Sequence, residues 1–223
     1  MGRSAAAVLM VALLAGCNSG DGIGPVQQGA SLSRPALQGT SRAGPDFKHC
    51  APWPSGSGIL ADGDFHGALL PKGKGWTYFS AGDIFARGWR VKKGSIAVVS
   101  PAIFPAPNGV CSIDLDGQNV RGIEHKPFAS VPSTSYSVSF LFSGNGPCGP
   151  PVKTLMVRAA GQSTTLSWNL ASEGNAKSGN FLPETWTFNA TETLARLEFI
   201  SLDPPDAGCG PVVAAISVTQ ASR

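Results

Sequence analysis

Tyr136-Ser-Val-Ser-Phe-Leu-Phe142 decides the fold class. Tyr136, Val138, Phe140 and Phe142 share one face of an extended chain, and Ser137, Ser139 and Leu141 share the other. A period of two is the mark of a strand with one face buried. The same alternation recurs downstream. In Thr164-Thr-Leu-Ser-Trp-Asn-Leu170, the residues Thr164, Leu166, Trp168 and Leu170 face one way. In Ala195-Arg-Leu-Glu-Phe199, Arg196 and Glu198 alternate with Ala195, Leu197 and Phe199. Further extended runs lie at 96–99, 112–115, 154–159, 185–189 and 213–218, parted by clusters of Gly, Pro and Asn. From Cys50 onward no helical period competes with this one. The pattern predicts an all-β chain: about nine or ten short strands in an antiparallel β-sandwich jelly roll, as one domain over 49–223.

Composition narrows the partners. With 28 Gly, 18 Pro and 42% hydrophobic residues, the chain reads as folded and loop-rich rather than disordered. Only 14% of residues are charged and the formal net charge is +3, so the basic footprint of a nucleic-acid binder is missing and no nucleic acid is expected. Residues 18–48 are different: rich in Gly, Ser, Gln and Pro, they lack the apolar surface to offset ordering entropy.

The apolar run 5–15, preceded by Arg3, is too short to span a bilayer and ends in Leu14-Ala15-Gly16-Cys17. That ending resembles a bacterial lipobox. The resemblance implies a signal peptide over 1–16, cleavage before Cys17, diacylglycerol on the Cys17 sulfur and an acylated amine. Two or three acyl chains meet the requirement for stable membrane anchoring. Residues 17–48 then form a flexible tether with a root-mean-square reach of roughly 30 Å. Asn18, where aspartate would favour inner-membrane retention, points to the outer membrane of a bacterial cell envelope.

Lipidation of Cys17 leaves Cys50, Cys111, Cys148 and Cys209, an even number in an exported chain. Three pairings are open. Cys148 in Gly-Pro-Cys-Gly-Pro and Cys209 in Gly-Cys-Gly-Pro each precede a strand-like run, 152–157 and 212–218. Two such turns side by side at one sheet end favour Cys148–Cys209, which leaves Cys50–Cys111. No Cys-x-x-Cys or Cys/His cluster has metal-ligand spacing, and His49-Cys50 alone does not make a zinc site.

Several blocks resemble, in order, the choice-of-anchor C group and the related domain of unknown function 642. They are Ile59-Leu-Ala-Asp-Gly-Asp-Phe65, Gly82-Asp-Ile-Phe-Ala-Arg-Gly-Trp89-Arg-Val91, Gly94-Ser-Ile-Ala-Val-Val99 and Asn108-Gly-Val-Cys-Ser-Ile-Asp114-Leu-Asp116-Gly117. Tyr136–Phe142 with Gly144-Asn145, Pro151-Val-Lys-Thr-Leu155, Trp186-Thr-Phe-Asn-Ala190 and Gly210-Pro-Val-Val213 complete the series. The resemblance implies a galactose-binding-like jelly roll, surface display and polysaccharide binding, with 59–65 as the opening strand. Carbohydrate-binding relatives hold a structural calcium with an opening-strand glutamate and a last-strand aspartate. Those positions are His66 and Ala214 here, which removes two hard oxygen donors, so neither calcium nor another cofactor is expected.

No nucleophile–base set or phosphate loop has a recognisable signature. Asp114 and Asp116 share a strand face, but Asp116-Gly117 reads as the turn that ends the strand. Asp62-Gly-Asp64 reads as a junction into a strand. Trp89, Trp168 and Trp186 sit in apolar strand contexts and are expected in the core. Trp53, Trp76 and Tyr78 lie in loop-like or edge contexts where a ring can stack on a sugar, and they are the ligand-binding candidates. The expected function is a non-catalytic, lipid-anchored envelope module that binds polysaccharide. The alternative is an envelope assembly protein that binds another protein, with a hydrolase third.

Overall fold

The structure is a computed structural model that describes residues 50–68, 70–71, 74–117, 122–146, 148–204 and 208–221. Cys17, the leader over 1–16 and the tether over 17–48 lie outside the described residues.

Fourteen strands occur among the described residues. The first seven are β1 (Trp76–Ser80), β2 (Ile84–Ala86), β3 (Trp89–Lys93), β4 (Ser95–Val99), β5 (Ser112–Asp114), β6 (Gly122–His125) and β7 (Phe128–Ala129). The rest are β8 (Ser135–Gly144), β9 (Val152–Ala159), β10 (Gln162–Asn169), β11 (Leu182–Asn189), β12 (Leu194–Ala195), β13 (Leu197–Ser201) and β14 (Pro211–Gln220). One helical turn, α1 (Leu170–Glu173), follows β10. The count exceeds the expected nine or ten because four of the strands, β2, β5, β7 and β12, are only two or three residues long.

Two six-stranded antiparallel sheets form the sandwich. The first has the order β1-β4-β5-β14-β8-β11 and the second β10-β9-β13-β6-β3-β2; β12 and β7 make a small ribbon. Tyr136, Val138, Phe140 and Phe142 all point into the core from β8. Across the gap Phe140 meets Phe199 edge-on, with ring centroids 5.1 Å apart, and Phe142 meets Trp168 at 5.6 Å. Trp89 and Trp168 are fully buried as expected, whereas Trp186, on edge strand β11, is half-buried and stacks along the strand on Phe188. Leu141 points to the outer face, as its parity requires, yet it is buried. Loop residues cover that face of the first sheet and build a second apolar cluster with Ala106, Val110 and Ala214.

Two expectations need correction. Residues 59–65 are not a strand. Gly58 makes a single parallel bridge to Val218, and the chain then turns through positive φ at Asp62 (59°) and Phe65 (58°). The Asp62 carboxylate stabilises that turn by accepting hydrogen bonds from the Gly67 and Arg87 N–H groups. Both expected disulfides, Cys50–Cys111 and Cys148–Cys209, are present. The second does not join neighbours in one sheet, however. Cys148 leads into β9 of the second sheet and Cys209 into β14 of the first, so this bond staples the two layers together.

His125, on β6, is buried against Trp89 with ring centroids 5.0 Å apart. Its Nδ1 donates to the Lys126 carbonyl at 2.6 Å, and its Nε2 lies 3.1 Å from the Ala61 nitrogen, whose N–H the neutral ring accepts, and 3.3 Å from the Ala61 carbonyl oxygen. Gly88, at φ +84°, passes so close that a Cβ there would lie 2.8 Å from this Nε2. Burial holds the His125 pKa below its ordinary value despite the backbone acceptors. The unfolded chain therefore binds the proton more readily. The contribution of His125 to stability is complete above about pH 6.5 and is lost as the pH falls from there through its folded value. Melting curves between pH 7.5 and 5 should show this slope in the wild type and a flatter one in His125→Gln. Equal slopes in the two proteins would refute the assignment.

Candidate functional site

Strand β1 is an edge of the first sheet and alternates cleanly. Thr77 and Phe79 turn inward, Phe79 packing on the core, while Trp76 and Tyr78 turn outward at 49% and 48% exposure. Residues two apart on a strand stand roughly 7 Å apart on one face. Trp76 pairs with Val99 and Tyr78 with Ala97, so the aromatic pair borders the small apolar cluster of Ala97, Val99, Phe104 and Val212 on the outer face of the sheet.

A groove of about 330 Å³ runs from this pair, within the range of small-ligand sites. Trp76 and Tyr78 form one wall and Ile103 and Phe104 another. Asp114, Asn145 and Lys177 supply polar groups at its end. A second depression, of about 430 Å³, is lined by residues 74–78 on the free side of β1. The aromatic pair is thus a ridge with open space on both sides.

The end of the groove rests on a buried charge cluster. Asp114 ends β5 and accepts from the Asp116 N–H at 3.0 Å, the Gly210 N–H at 3.1 Å and the Asn145 side-chain amide at 2.6 Å. Burial pushes its pKa up, against those hydrogen bonds. Lys153, fully buried, donates to the carbonyls of Cys148 at 2.7 Å and Cys209 at 2.6 Å. Burial pulls its pKa down, while Asp203, Asp114 and Asp116 oppose that shift. Burial also raises Asp203, whose carboxylate accepts from the Thr154 N–H. Asp114 and Asp116 therefore form the expected strand-to-turn corner. The Asp114 carboxylate is held in place by three donors.

Trp53 is not brought to this groove. It is half-buried against the cluster of Leu141, Ala214 and Ala215, and its backbone N–H donates to Asp64 Oδ2 at 2.7 Å. Asp62, Asp64 and His66 are a grouping that sequence spacing alone did not assemble, and their potential ligand atoms all lie within 4.8 Å of one another. His66 Nδ1 lies 2.7 Å from Asp64 Oδ1 and 3.0 Å from Asp62 Oδ1. The hydrogen bond to Asp64, aided by both carboxylate charges, raises the His66 pKa. Two carboxylate oxygens converging on an imidazole nitrogen do not make the all-oxygen set that calcium requires. When protonated, the imidazole places a positive charge between the two buried acids.

No curated protein is similar enough in sequence to match the chain. Among solved structures it is similar to a family 35 carbohydrate-binding module from Clostridium thermocellum: 14% identity, 66% of this chain, 100% of that one, TM-score 0.43. It is also similar to TmCBM61, solved with β-1,4-galactotriose: 16% identity, 74% of this chain, 99% of that one, TM-score 0.43. A third is the module CBM6cm-2 from Cellvibrio mixtus lichenase 5A, solved with cellotriose: 15% identity, 66% of this chain, 98% of that one, TM-score 0.37. Likeness at this level carries no ligand across. Sequence similarity is firmer: the model of the family described as "Protein of unknown function (DUF642)" matches residues 58–219, and the chain belongs to that family.

Proposed function

We propose that this chain is a non-catalytic polysaccharide-binding module of the choice-of-anchor C type, held at the outer membrane of a bacterial cell envelope by lipid on Cys17. The observation that carries the binding role is the half-exposed pair Trp76 and Tyr78 on one face of β1, beside a groove with fixed polar groups. Flat rings with open space beside them offer stacking surface to a sugar ring, and Asn145 and Lys177 offer hydrogen-bond donors at the groove end. The engagement of Asp114 favours binding over hydrolysis, because three donors from the protein occupy the lone pairs with which its carboxylate would take a proton from a reactant. The lipid anchor rests on the resemblance of residues 14–17 to a lipobox.

The test is a glycan array probed with the full-length protein in a detergent that has no sugar headgroup. Trp76→Ala and Tyr78→Ala should each weaken binding about tenfold or more, the scale of a buried aromatic anchor. Trp53→Ala, remote from the groove, should keep the wild-type profile. Binding to no glycan, together with specific capture of one envelope protein, would replace this reading with the assembly-protein one.

A further inference from the structure

We infer a second binding surface, on the outer face of the second sheet, for a carboxylate-bearing polysaccharide such as a polyuronate. It does not depend on the aromatic groove, which lies on the other sheet.

The register of the second sheet brings one row of outward side chains into line. Ser163 pairs with Arg158, Arg158 with Glu198, Glu198 with Glu124, Glu124 with Arg90, and Arg90 with Ile84. At its centre two glutamates lie directly opposite each other, an arrangement that is destabilising by itself. Both are buried, with side-chain exposures of 4% and 7%. Cations surround them. Arg90 bonds to Glu124, Arg196 approaches Glu124 at 3.0 Å, Lys92 approaches Glu198 at 2.5 Å, and Arg158 approaches Glu198 at 3.6 Å. Burial alone would raise the Glu124 pKa, but the hydrogen bonds from Arg90 and Arg196 outweigh it and hold the carboxyl below its usual range. Both acids are spoken for, and four cations remain 37% to 54% exposed. Lys126 adds a fifth, exposed and outside these pairs. Five positive charges stand over two buried negative ones and one exposed one, Glu192 at the rim of the second cleft, and still leave an outward surplus that the internal pairing does not consume.

The surface also has shape. Arg196 is a ridge between two clefts. One, of about 340 Å³, is lined by Arg90, Arg196 and Lys126 over a floor of Gly88 and Trp89. The other, of about 360 Å³, lies between Arg196 and Arg158. Guanidinium groups present paired N–H donors that match a carboxylate. Beyond Arg158, edge strand β10 turns Ser163, Thr165, Ser167 and Asn169 outward. A row of hydroxyl and amide groups suits a chain of sugar hydroxyls. The row itself holds no aliphatic or aromatic side chain. Ile84 and Leu194 stand exposed one at each cleft. They are single apolar contacts among the cations, short of the continuous apolar face that a membrane surface or the core of a protein interface would use. Repeated carboxylates on a sugar backbone fit both features.

The experiment measures binding of the full-length protein, in the same detergent, to immobilised polygalacturonate, with a neutral β-glucan and vesicles of anionic phospholipid alongside. Polygalacturonate should be preferred, and the binding should weaken as ionic strength rises. Lys126→Gln should weaken it with the melting temperature unchanged, because Lys126 is outside the glutamate pairs. Arg196→Gln should weaken it about tenfold or more, the factor expected for a lost charge-assisted hydrogen bond. Trp76→Ala should leave it intact, which separates this surface from the aromatic groove. Equal binding to the neutral glucan, tighter binding to the vesicles, or wild-type binding by both Lys126→Gln and Arg196→Gln would each overturn the inference.

Discussion

Replacing Lys153 with methionine should lower stability by about 3–5 kcal/mol at pH 7, the scale for breaking a buried charge cluster by removing one partner. Methionine keeps most of the buried stem, so the loss reports the ammonium group. Two effects combine. The carbonyls of Cys148 and Cys209 lose their shared donor, and Asp114, Asp116 and Asp203 lose the cation that opposes their charge. At roughly 2–4 °C per kcal/mol for a domain of this size, Tm should fall by about 10 °C. The pH dependence identifies the cause. Asp114 and Asp203 already have pKa values raised by burial, and without the ammonium they rise further. A group with a raised folded pKa favours the fold below its unfolded pKa and disfavours it as the pH rises through the folded value. The deficit of Lys153→Met should therefore be largest at pH 7 and shrink toward pH 4. A deficit that does not vary with pH would mean lost packing and not lost charge. A variant as stable as the wild type at pH 7 would refute the role of the ammonium altogether.

Neither that cluster nor the cationic face was legible in the sequence, and the reason is register. Arg90, Glu124, Arg158 and Glu198 lie on four strands, and only the pairing of β3, β6, β13 and β9 sets them in one row. Locally each is just the polar member of an alternating strand. Lys153 sits in the same kind of run, and nothing nearby marks it as buried. What was legible depended on local periodicity and local chemistry. The alternation of 136–142 placed four side chains in the core correctly. It could not foresee that Leu141, on the other face, would be covered by distant loops. Trp76 and Tyr78 were identifiable as outward aromatics, but the opposite wall of their groove comes from residues 103–104 and its end from 145 and 177. The strand expected at 59–65 failed because Asp62 gains more from accepting two backbone N–H groups within a turn than an extended chain would offer.

Reducing both disulfides should cost more than any single substitution considered above. Each bond joins residues 61 apart, and the loops 50–111 and 148–209 do not overlap. Chain entropy assigns about 4 kcal/mol to a loop of that length, and contributions from separate loops add. A combined loss of about 8 kcal/mol takes up most of a typical domain's stability, so the fully reduced chain should melt roughly 20 °C lower or fail to fold. The two bonds should not open together. Cys50 and Cys111 are both buried, whereas Cys148 is exposed. A mild reductant acting on the native protein should open Cys148–Cys209 first, and thiol labelling with mass spectrometry will read the order. Opening it frees the layers at the end where Lys153 bonds both cysteine carbonyls, so Lys153→Met should speed that first step. The bond between Cys50 and Cys111 sits elsewhere, beside the middle of β14. It anchors residues 50–71, where among the described residues one bridge at Gly58 is the only ladder contact and Phe65 packs on Phe85 and Trp89. If these cross-links and the His66 bridge between Asp62 and Asp64 do the work of a structural calcium, a chelator should leave Tm unchanged. A strong fall in Tm on chelation, or a reduced protein that melts within a few degrees of the oxidised one, would refute this account.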